Sequence, residues 1–122
     1  MSKKVLVVDD SATVRQQVRL ALAQSGFDVV EAVDGVDGQE KISATPDLKM
    51  VICDVNMPRM NGIDMIEAVA ATGRHTALPI VMLTTEGQPA LIQRAKAAGA
   101  KGWIVKPFKA DLLVAAVQKL TA

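Results

Sequence analysis

Short apolar runs alternate with longer amphipathic segments along the whole chain. Residues 5–8, 50–53 and 79–83 are continuous apolar runs, which is typical of strands buried on both faces of a sheet. Residues 28–32 carry acidic side chains, so we expect an outer strand there, and residues 102–105 form a fifth, less strongly marked strand. The pattern therefore predicts five strands, at least three of them fully covered.

The segments between these strands have apolar residues at helical spacing. The first predicted helix begins at Ala12, where Ser11 can cap it, and has Arg15, Gln16 and Arg19 on its polar side. The other predicted helices are residues 36–44, residues 63–71, the segment from Pro89 that Gly99 ends, and about residues 110–120.

The second and fifth predicted helices differ in how well their sequences suit a helix. Gly38 weakens the second helix, because the free energy of placing glycine inside a helix is less favourable than that of placing alanine there. In the fifth helix, the residues expected to face inward are Leu112, Leu113, Ala116, Val117 and Leu120.

Strict alternation of strands and helices predicts an α/β fold, with a parallel sheet covered by helices on both faces. The strand order 2-1-3-4-5 places the acidic second strand at one edge and the fifth strand at the other. This is the flavodoxin-like, doubly wound arrangement. We expect residues 1–122 to form one domain, which is an ordinary size for a single hydrophobic core.

Acidic side chains follow two strands that are neighbours in this sheet. Asp9 and Asp10 come directly after the first strand, and Asp54 ends the third. Thr84 and Lys106 lie next along the same carboxyl edge, where open α/β sheets bind ligands. Each close pair of carboxylates costs on the order of 4 kcal/mol at ~4 Å and an effective dielectric near 20. A divalent cation bound between the carboxylates makes the net electrostatic energy of the group favourable. Oxygen ligands of this kind suit Mg²⁺ or Mn²⁺.

A carboxylate beside a bound cation can act as a nucleophile toward a phosphoryl group. Lys106 is placed to neutralise the phosphoryl oxygens, and Thr84 can donate its hydroxyl to them. The residue types at this edge are therefore compatible with phosphoryl transfer to one of the aspartates.

Further residues extend this set into an ordered pattern, which consists of Asp9-Asp10, Asp54, Met57-Pro58, Gly62, Thr84 and Lys106-Pro107-Phe108. With these motifs in this order, the whole chain resembles the receiver domain of two-component response regulators, and among them the stand-alone regulators of chemotaxis. The resemblance implies that Asp54 is the phosphoacceptor, that Asp9 and Asp10 hold Mg²⁺, and that Thr84 and Lys106 bind the phosphoryl group. It also implies a cis peptide bond before Pro107.

Three other positions acquire roles from the resemblance. The backbone carbonyl of Asn56 completes the metal site, and the side chains of Asn56 and Glu86 tune the rate of self-dephosphorylation. Trp103 stands where the family usually has the Tyr or Phe that switches position together with Thr84. An indole needs more room to turn inward than a phenol, and its N–H requires a partner.

The resemblance implies a signalling protein that catalyses its own phosphorylation and dephosphorylation, and not an enzyme that turns over an external substrate. Its expected partners are a histidine kinase as phosphodonor and a flagellar switch protein or another effector, with a phosphatase possible. The effector is expected to bind the face formed by the fourth helix, the fifth strand and the fifth helix. Because the sequence ends with the fifth helix, we expect output from the receiver surface. We also expect the protein to be a monomer.

Composition excludes several other classes of protein. The 14 basic and 13 acidic residues give a net charge of +1 with no basic run, so a nucleic-acid interface is not expected. The sequence has no signal peptide and no apolar stretch long enough to span a membrane, which indicates a cytoplasmic protein. Cys53 is the single cysteine, so no disulfide can form within the chain.

Two alternatives from other classes were compared with this interpretation. A flavodoxin-like electron carrier shares the fold, but it needs a phosphate-binding loop rich in Ser and Thr after the first strand and aromatic residues around the flavin. A Mg²⁺-dependent phosphatase with a nucleophilic aspartate needs a substrate pocket, for which 122 residues leave little room. A third alternative keeps the receiver chemistry but makes the protein a phosphate sink or relay outside chemotaxis.

Overall fold

The computed structural model describes residues 3–55, 61–74, 77–84 and 89–122. Five strands form one parallel sheet in the order β2-β1-β3-β4-β5, which confirms the predicted order. The elements in chain order are β1 (Lys4–Val8), α1 (Ala12–Ala23), β2 (Asp28–Ala32), α2 (Gly35–Ala44), β3 (Leu48–Asp54), α3 (Gly62–Thr72), β4 (Ile80–Thr84), α4 (Pro89–Ala97), β5 (Gly102–Val105) and α5 (Ala110–Thr121).

The three central strands divide their side chains between two apolar layers. Successive residues of a strand point to opposite faces, so β1 sends Leu6 and Val8 to one layer and Val5 and Val7 to the other. Helices α2, α3 and α4 cover the first layer, and α1 and α5 cover the second. This double coverage explains why β1, β3 and β4 are continuous apolar runs in the sequence.

The predicted boundaries need small corrections. Strand β3 begins at Leu48, two residues earlier than predicted, and it includes Asp54 as its last residue. Ser11 caps α1 as predicted, because its hydroxyl accepts a hydrogen bond from the backbone N–H of Val14 at 3.3 Å. Asp34 caps α2 in the same way, by accepting from the N–H of Asp37.

Two residues of α2 and α5 differ from expectation. A Cβ built on Gly38 would lie 2.7 Å from the sulfur of Met65, so glycine is the residue that lets α2 pack closely against α3. The prediction that Leu112 faces inward is wrong: its exposed fraction is 62%, whereas Leu113 is fully buried. Consecutive residues lie about 100° apart around a helix, so only one of the two can face the sheet directly.

Within the described parts of the chain, none of the helices combines the length and the apolar character needed to cross a bilayer.

Candidate functional site

Four strands deliver side chains to one carboxyl edge of the sheet. Asp9 follows β1 directly, Asp54 is the last residue of β3, Thr84 is the last residue of β4, and Lys106 follows β5. Asp9, Asp54 and Thr84 are buried. The topology therefore brings together residues that are up to 97 positions apart in the sequence.

The ammonium group of Lys106 joins two of the acids. Its Nζ donates a hydrogen bond to Oδ2 of Asp9 at 2.9 Å and lies 3.3 Å from Oδ1 of Asp54. The exposed fraction of the lysine side chain is only 16%, and that of Asp9 is zero. The peptide bond between Lys106 and Pro107 is cis, as the resemblance implied. The backbone N–H of Lys106 donates to the carbonyl of Thr84, which holds the lysine at this edge.

Asp9 is fixed from several directions besides Lys106. Its backbone N–H donates to the carbonyl of Ala32 at 3.1 Å, and its Oδ1 accepts from the N–H of Ser11 at 2.9 Å. Its backbone carbonyl accepts from the guanidinium of Arg15 at 2.7 Å. Each polar group of Asp9 thus has a partner, as a fully buried charged residue requires.

Asp54 is held through its backbone by the start of α3. A Cβ built on Gly62 would lie 2.1 Å from the carbonyl oxygen of Asp54, so only glycine permits this approach. The N–H of Gly62 donates to the carbonyl of Val55 at 2.9 Å, and Asn61 caps α3 by accepting from the N–H of Asp64. These contacts explain why a glycine stands at position 62.

Burial governs the electrostatics of the site. Burial raises the pKa of the Asp54 carboxyl, and the charge of Asp9 raises it further, against the opposing effect of Lys106. Burial alone would lower the pKa of Lys106, but the hydrogen bond to Asp9 and the charges of Asp54 and Asp9 outweigh it, so this pKa is raised. The lysine is therefore a stable cation, and Asp54 is a carboxylate with an incompletely compensated charge.

Asp9, Asp10 and Asp54 form a cluster in which each carboxylate offers an oxygen within 4.8 Å of the others. Asp10 is exposed, so the cluster opens to solvent on one side. Three carboxylate oxygens with one open side suit Mg²⁺, which keeps several waters and takes few ligands from the protein. The residues present therefore fit the divalent cation that the sequence predicts.

Trp103 lies in β5 and packs against the apolar layer that α2, α3 and α4 cover. Its indole Nε1 is buried and has no hydrogen-bond partner among the described residues. Val105, the next residue but one, has an exposed fraction of 53%. On the β4–β5 side of the sheet, the described residues thus leave one buried donor without a partner and an apolar side chain exposed.

Some predicted residues lie outside the described part of the chain. These are Asn56, predicted for the metal site, the Met57-Pro58 motif, and Glu86, predicted with Asn56 to tune dephosphorylation. Arg15 was missed by sequence analysis, which assigned it to the polar side of α1. Its signal in the sequence was its position one helical turn after the Ser11 cap, opposite an outer strand that carries Glu31.

Comparison with protein families gives one match that covers nearly the whole chain. Residues 5–118 match the response regulator receiver domain. The chemotaxis protein CheY1 of Helicobacter pylori is 46% identical over 111 residues, which are 90% of each chain. The CheY homolog of Campylobacter jejuni is 41% identical over 90% of this chain and 85% of its own.

Solved structures give the same result. The structure of the chemotaxis protein CheY4 of Vibrio cholerae superposes with a TM-score of 0.91 at 40% identity, over 98% of this chain and 99% of that one. The CheY chain of a CheX–CheY–BeF₃–Mg²⁺ complex from Borrelia burgdorferi superposes with a TM-score of 0.89 at 26% identity, over 98% and 90% of the two chains. These likenesses decide against the flavodoxin-like electron carrier.

Proposed function

Since this chain belongs to the response regulator receiver domain family, we propose that it is a single-domain response regulator of chemotaxis, phosphorylated on Asp54 in a Mg²⁺-dependent reaction. The observation that carries the proposal is the bridge from Lys106 to both Asp9 and Asp54 beside a cluster of three acids. A lone structural ion pair would need one carboxylate, whereas this edge brings three together. The proposed domain is residues 1–122.

In the proposed reaction, a carboxylate oxygen of Asp54 forms a bond to the phosphorus atom of the donor. With a phosphohistidine donor the P–N bond breaks, and the released imidazole keeps its electron pair and takes up a proton. The Nζ of Lys106 lies 3.3 Å from Oδ1 of Asp54. Its positive charge would therefore face the oxygens of a phosphoryl group that is transferred to this carboxylate. The raised pKa of Lys106 keeps it charged throughout.

Asp9, Asp10 and Asp54 would hold the Mg²⁺ ion, with Mn²⁺ as an alternative and the carbonyl of Asn56 as a further proposed ligand. When bound, the ion would neutralise charge on the phosphoryl oxygens and on the acids. The Borrelia CheY structure contains both BeF₃ and Mg²⁺, and this supports the same pairing for this chain.

The proposed phosphodonor is a histidine kinase. An apolar cleft of about 630 Å³ lies between α1 and the start of α5 and reaches Lys106. A partner docked in that cleft would lie beside the lysine that faces the acceptor, which supports donor binding on this side of the domain.

Readout is proposed on the face of α4, β5 and α5. Val105 on β5 and Leu112 on α5 are large apolar residues with exposed fractions of 53% and 62%, and such residues can form part of a protein interface. We propose that the Thr84 hydroxyl moves toward a phosphoryl group on Asp54 and that Trp103 then turns inward. The leading effector is a flagellar switch protein, because the relatives are chemotaxis proteins.

The proposal makes the protein a cytoplasmic monomer that changes its own phosphorylation state and is not a turnover enzyme. The side chains of Asn56 and Glu86 are proposed to set the lifetime of the phosphoryl group. Changing both residues should alter the decay rate of phosphorylated protein while leaving Mg²⁺ affinity near its original value, and an unchanged decay rate would refute their role.

Intact mass spectrometry after incubation with acetyl phosphate tests the acceptor. The protein should gain one phosphoryl group with Mg²⁺ and none with a chelator, and Asp54→Asn should abolish the gain. Asp64→Asn is the matched control, because Asp64 is an exposed acid at the start of α3, and it should be labelled normally. Labelling that survives Asp54→Asn, or that does not depend on the metal, would overturn the proposal.

A further inference from the structure

The guanidinium of Arg15 connects the acidic cluster to the outer strand β2. Its Nη1 donates to the backbone carbonyl of Asp9 at 2.7 Å, and its Nε donates to Oε1 of Glu31 at 3.0 Å. The exposed fraction of the Arg15 side chain is 15%, so both bonds lie largely out of solvent. A guanidinium is planar and rigid, and the two contacts therefore fix its orientation relative to β1 and β2.

The bond to the Asp9 carbonyl bears on the neighbouring acid. The carbonyl of Asp9 and the N–H of Asp10 belong to the same planar peptide unit. Holding that carbonyl therefore sets the direction in which the chain enters Asp10. Asp10 is exposed, and no hydrogen bond or ion pair is found for its carboxylate within the described ranges. The path of the backbone therefore places a carboxylate oxygen of Asp10 within 4.8 Å of those of Asp9 and Asp54.

Glu31 holds Arg15 in place and offsets part of the positive charge of the arginines beside it. It pairs with both Arg15 and Arg19, and β2 carries it opposite Val7 of β1. Burial raises the pKa of Glu31, but the two arginines together lower it more, so its carboxylate stays ionised and offsets part of their charge. Without Glu31, the positive charge of Arg15 would oppose a cation bound by the acids.

We propose that Arg15 is a positioning residue of the cation site, acting through the Asp9–Asp10 peptide and held in place by Glu31. The proposal rests on the proposed function, since it assumes that the three acids bind Mg²⁺. Contacts that orient the ligands of a metal are typically worth 10–100-fold in metal affinity. Arg15 makes no direct contact with a carboxylate of the cluster, so the expected loss is at the lower end of that range.

The chain offers a matched pair of variants on α1. Arg15→Gln and Arg19→Gln each remove one ion pair to the same Glu31, but only Arg15 also contacts Asp9. Mn²⁺ binding is measured by electron paramagnetic resonance, in which free Mn²⁺ is counted directly, and folding is followed by thermal unfolding. Arg15→Gln should weaken Mn²⁺ binding about 10-fold, whereas Arg19→Gln should leave it within about twofold.

Phosphorylation rates separate positioning from a general loss of structure. At limiting Mg²⁺ the Arg15→Gln protein should be labelled by acetyl phosphate more slowly than the original protein. At saturating Mg²⁺ its rate should return to near the original value, because Asp54 and Lys106 are unchanged.

Equal Mn²⁺ affinities for Arg15→Gln and Arg19→Gln would overturn the positioning role while leaving the cation site intact. A rate deficit in Arg15→Gln that persists at saturating Mg²⁺ would also overturn it. Failure of the unaltered protein to bind Mn²⁺ would instead overturn the proposed function on which this inference rests.

Discussion

The carboxyl edge of the sheet has two halves that are built differently. In the acceptor half, formed by Asp9, Asp54 and Lys106, every polar group of Asp9 has a partner and Lys106 joins both acids. In the readout half, formed by Thr84, Trp103 and Val105, a buried indole N–H has no partner among the described residues and an apolar residue is exposed. The two halves therefore differ in how completely the buried polar groups of the described residues are paired.

This difference suits a switch that is set by a local charge. A buried donor without a partner costs about 1–3 kcal/mol, which is comparable to the coupling energy of a typical allosteric change. We therefore propose that a small event at Asp54 is enough to change the position of Trp103, provided that the acceptor half does not itself rearrange.

Replacing the lysine should affect the acceptor half most. Lys106→Met leaves Asp9 and Asp54 close together in a buried site without their cation, and removing one member of a buried ion pair costs about 3–5 kcal/mol. Urea denaturation in metal-free buffer should show a loss of about 3 kcal/mol. Lys109→Met, which removes an exposed lysine that forms no side-chain cap, should cost less than about 0.5 kcal/mol. Equal losses in the two variants would show that Lys106 does not stabilise the acids.

Adding a methyl group beside Asp54 should come next. Gly62→Ala forces a Cβ toward the Asp54 carbonyl, which is backbone and cannot give way cheaply, so we expect a loss of about 2–3 kcal/mol and slower phosphorylation. Gly73→Ala is the control, since Gly73 has a φ of 67° with open space around it. It should lose about 1 kcal/mol to strain without slowing phosphorylation. A Gly62→Ala protein that accepts phosphate at the original rate would contradict the proposed closeness.

The pH dependence of stability should have opposite signs at two carboxylates. The pKa of Asp54 is raised, so its contribution to metal-free stability is fully present below the unfolded pKa of about 4 and is lost as the pH rises through the folded value. The pKa of Glu31 is lowered, so its contribution is present above the unfolded value and is lost as the pH falls through the folded one.

Asp54→Asn should therefore raise metal-free stability at pH 7, and Glu31→Gln should lower it by less than about 1 kcal/mol because the glutamate is partly exposed. The difference for Asp54→Asn should shrink toward zero when denaturation is repeated at about pH 3, below the unfolded value, whereas the difference for Glu31→Gln should disappear only as the pH falls through the lowered folded value. A loss of stability in Asp54→Asn at pH 7 would mean that Lys106 outweighs burial and Asp9.

The acceptor half was predictable from the sequence because its residues sit at strand ends. A carboxylate or lysine that follows an apolar run must lie at the carboxyl edge of a parallel sheet, whatever the details of packing. The positions of Asp9, Asp54 and Lys106 at this edge were predicted in this way, and the acidic second strand indicated an outer position, which the observed order satisfies. Periodicity placed every helix and strand within about two residues of its observed ends.

Other features depend on contacts between distant segments and were therefore missed. In the sequence Gly38 appears only to weaken α2, because its close contact with Met65 of α3 is visible only in the structure. Arg15 looks like a surface residue until Glu31 and the Asp9 carbonyl are seen to bind it. Leu112 fits the apolar stripe of α5 in the sequence, but only Leu113 and Val117 of that helix are buried.

Amide hydrogen exchange with Trp103 fluorescence, with and without beryllofluoride and Mg²⁺, tests most directly whether charge at the acceptor half moves the readout half. We expect the exchange rates of β5 and α4 to change and the emission of Trp103 to shift. Thr84→Ser, which keeps the hydroxyl, should preserve the response, and Thr84→Ala should lose it. If beryllofluoride binds at Asp54 and neither β5 nor α4 responds, or if Thr84→Ala responds like Thr84→Ser, the proposed coupling is wrong.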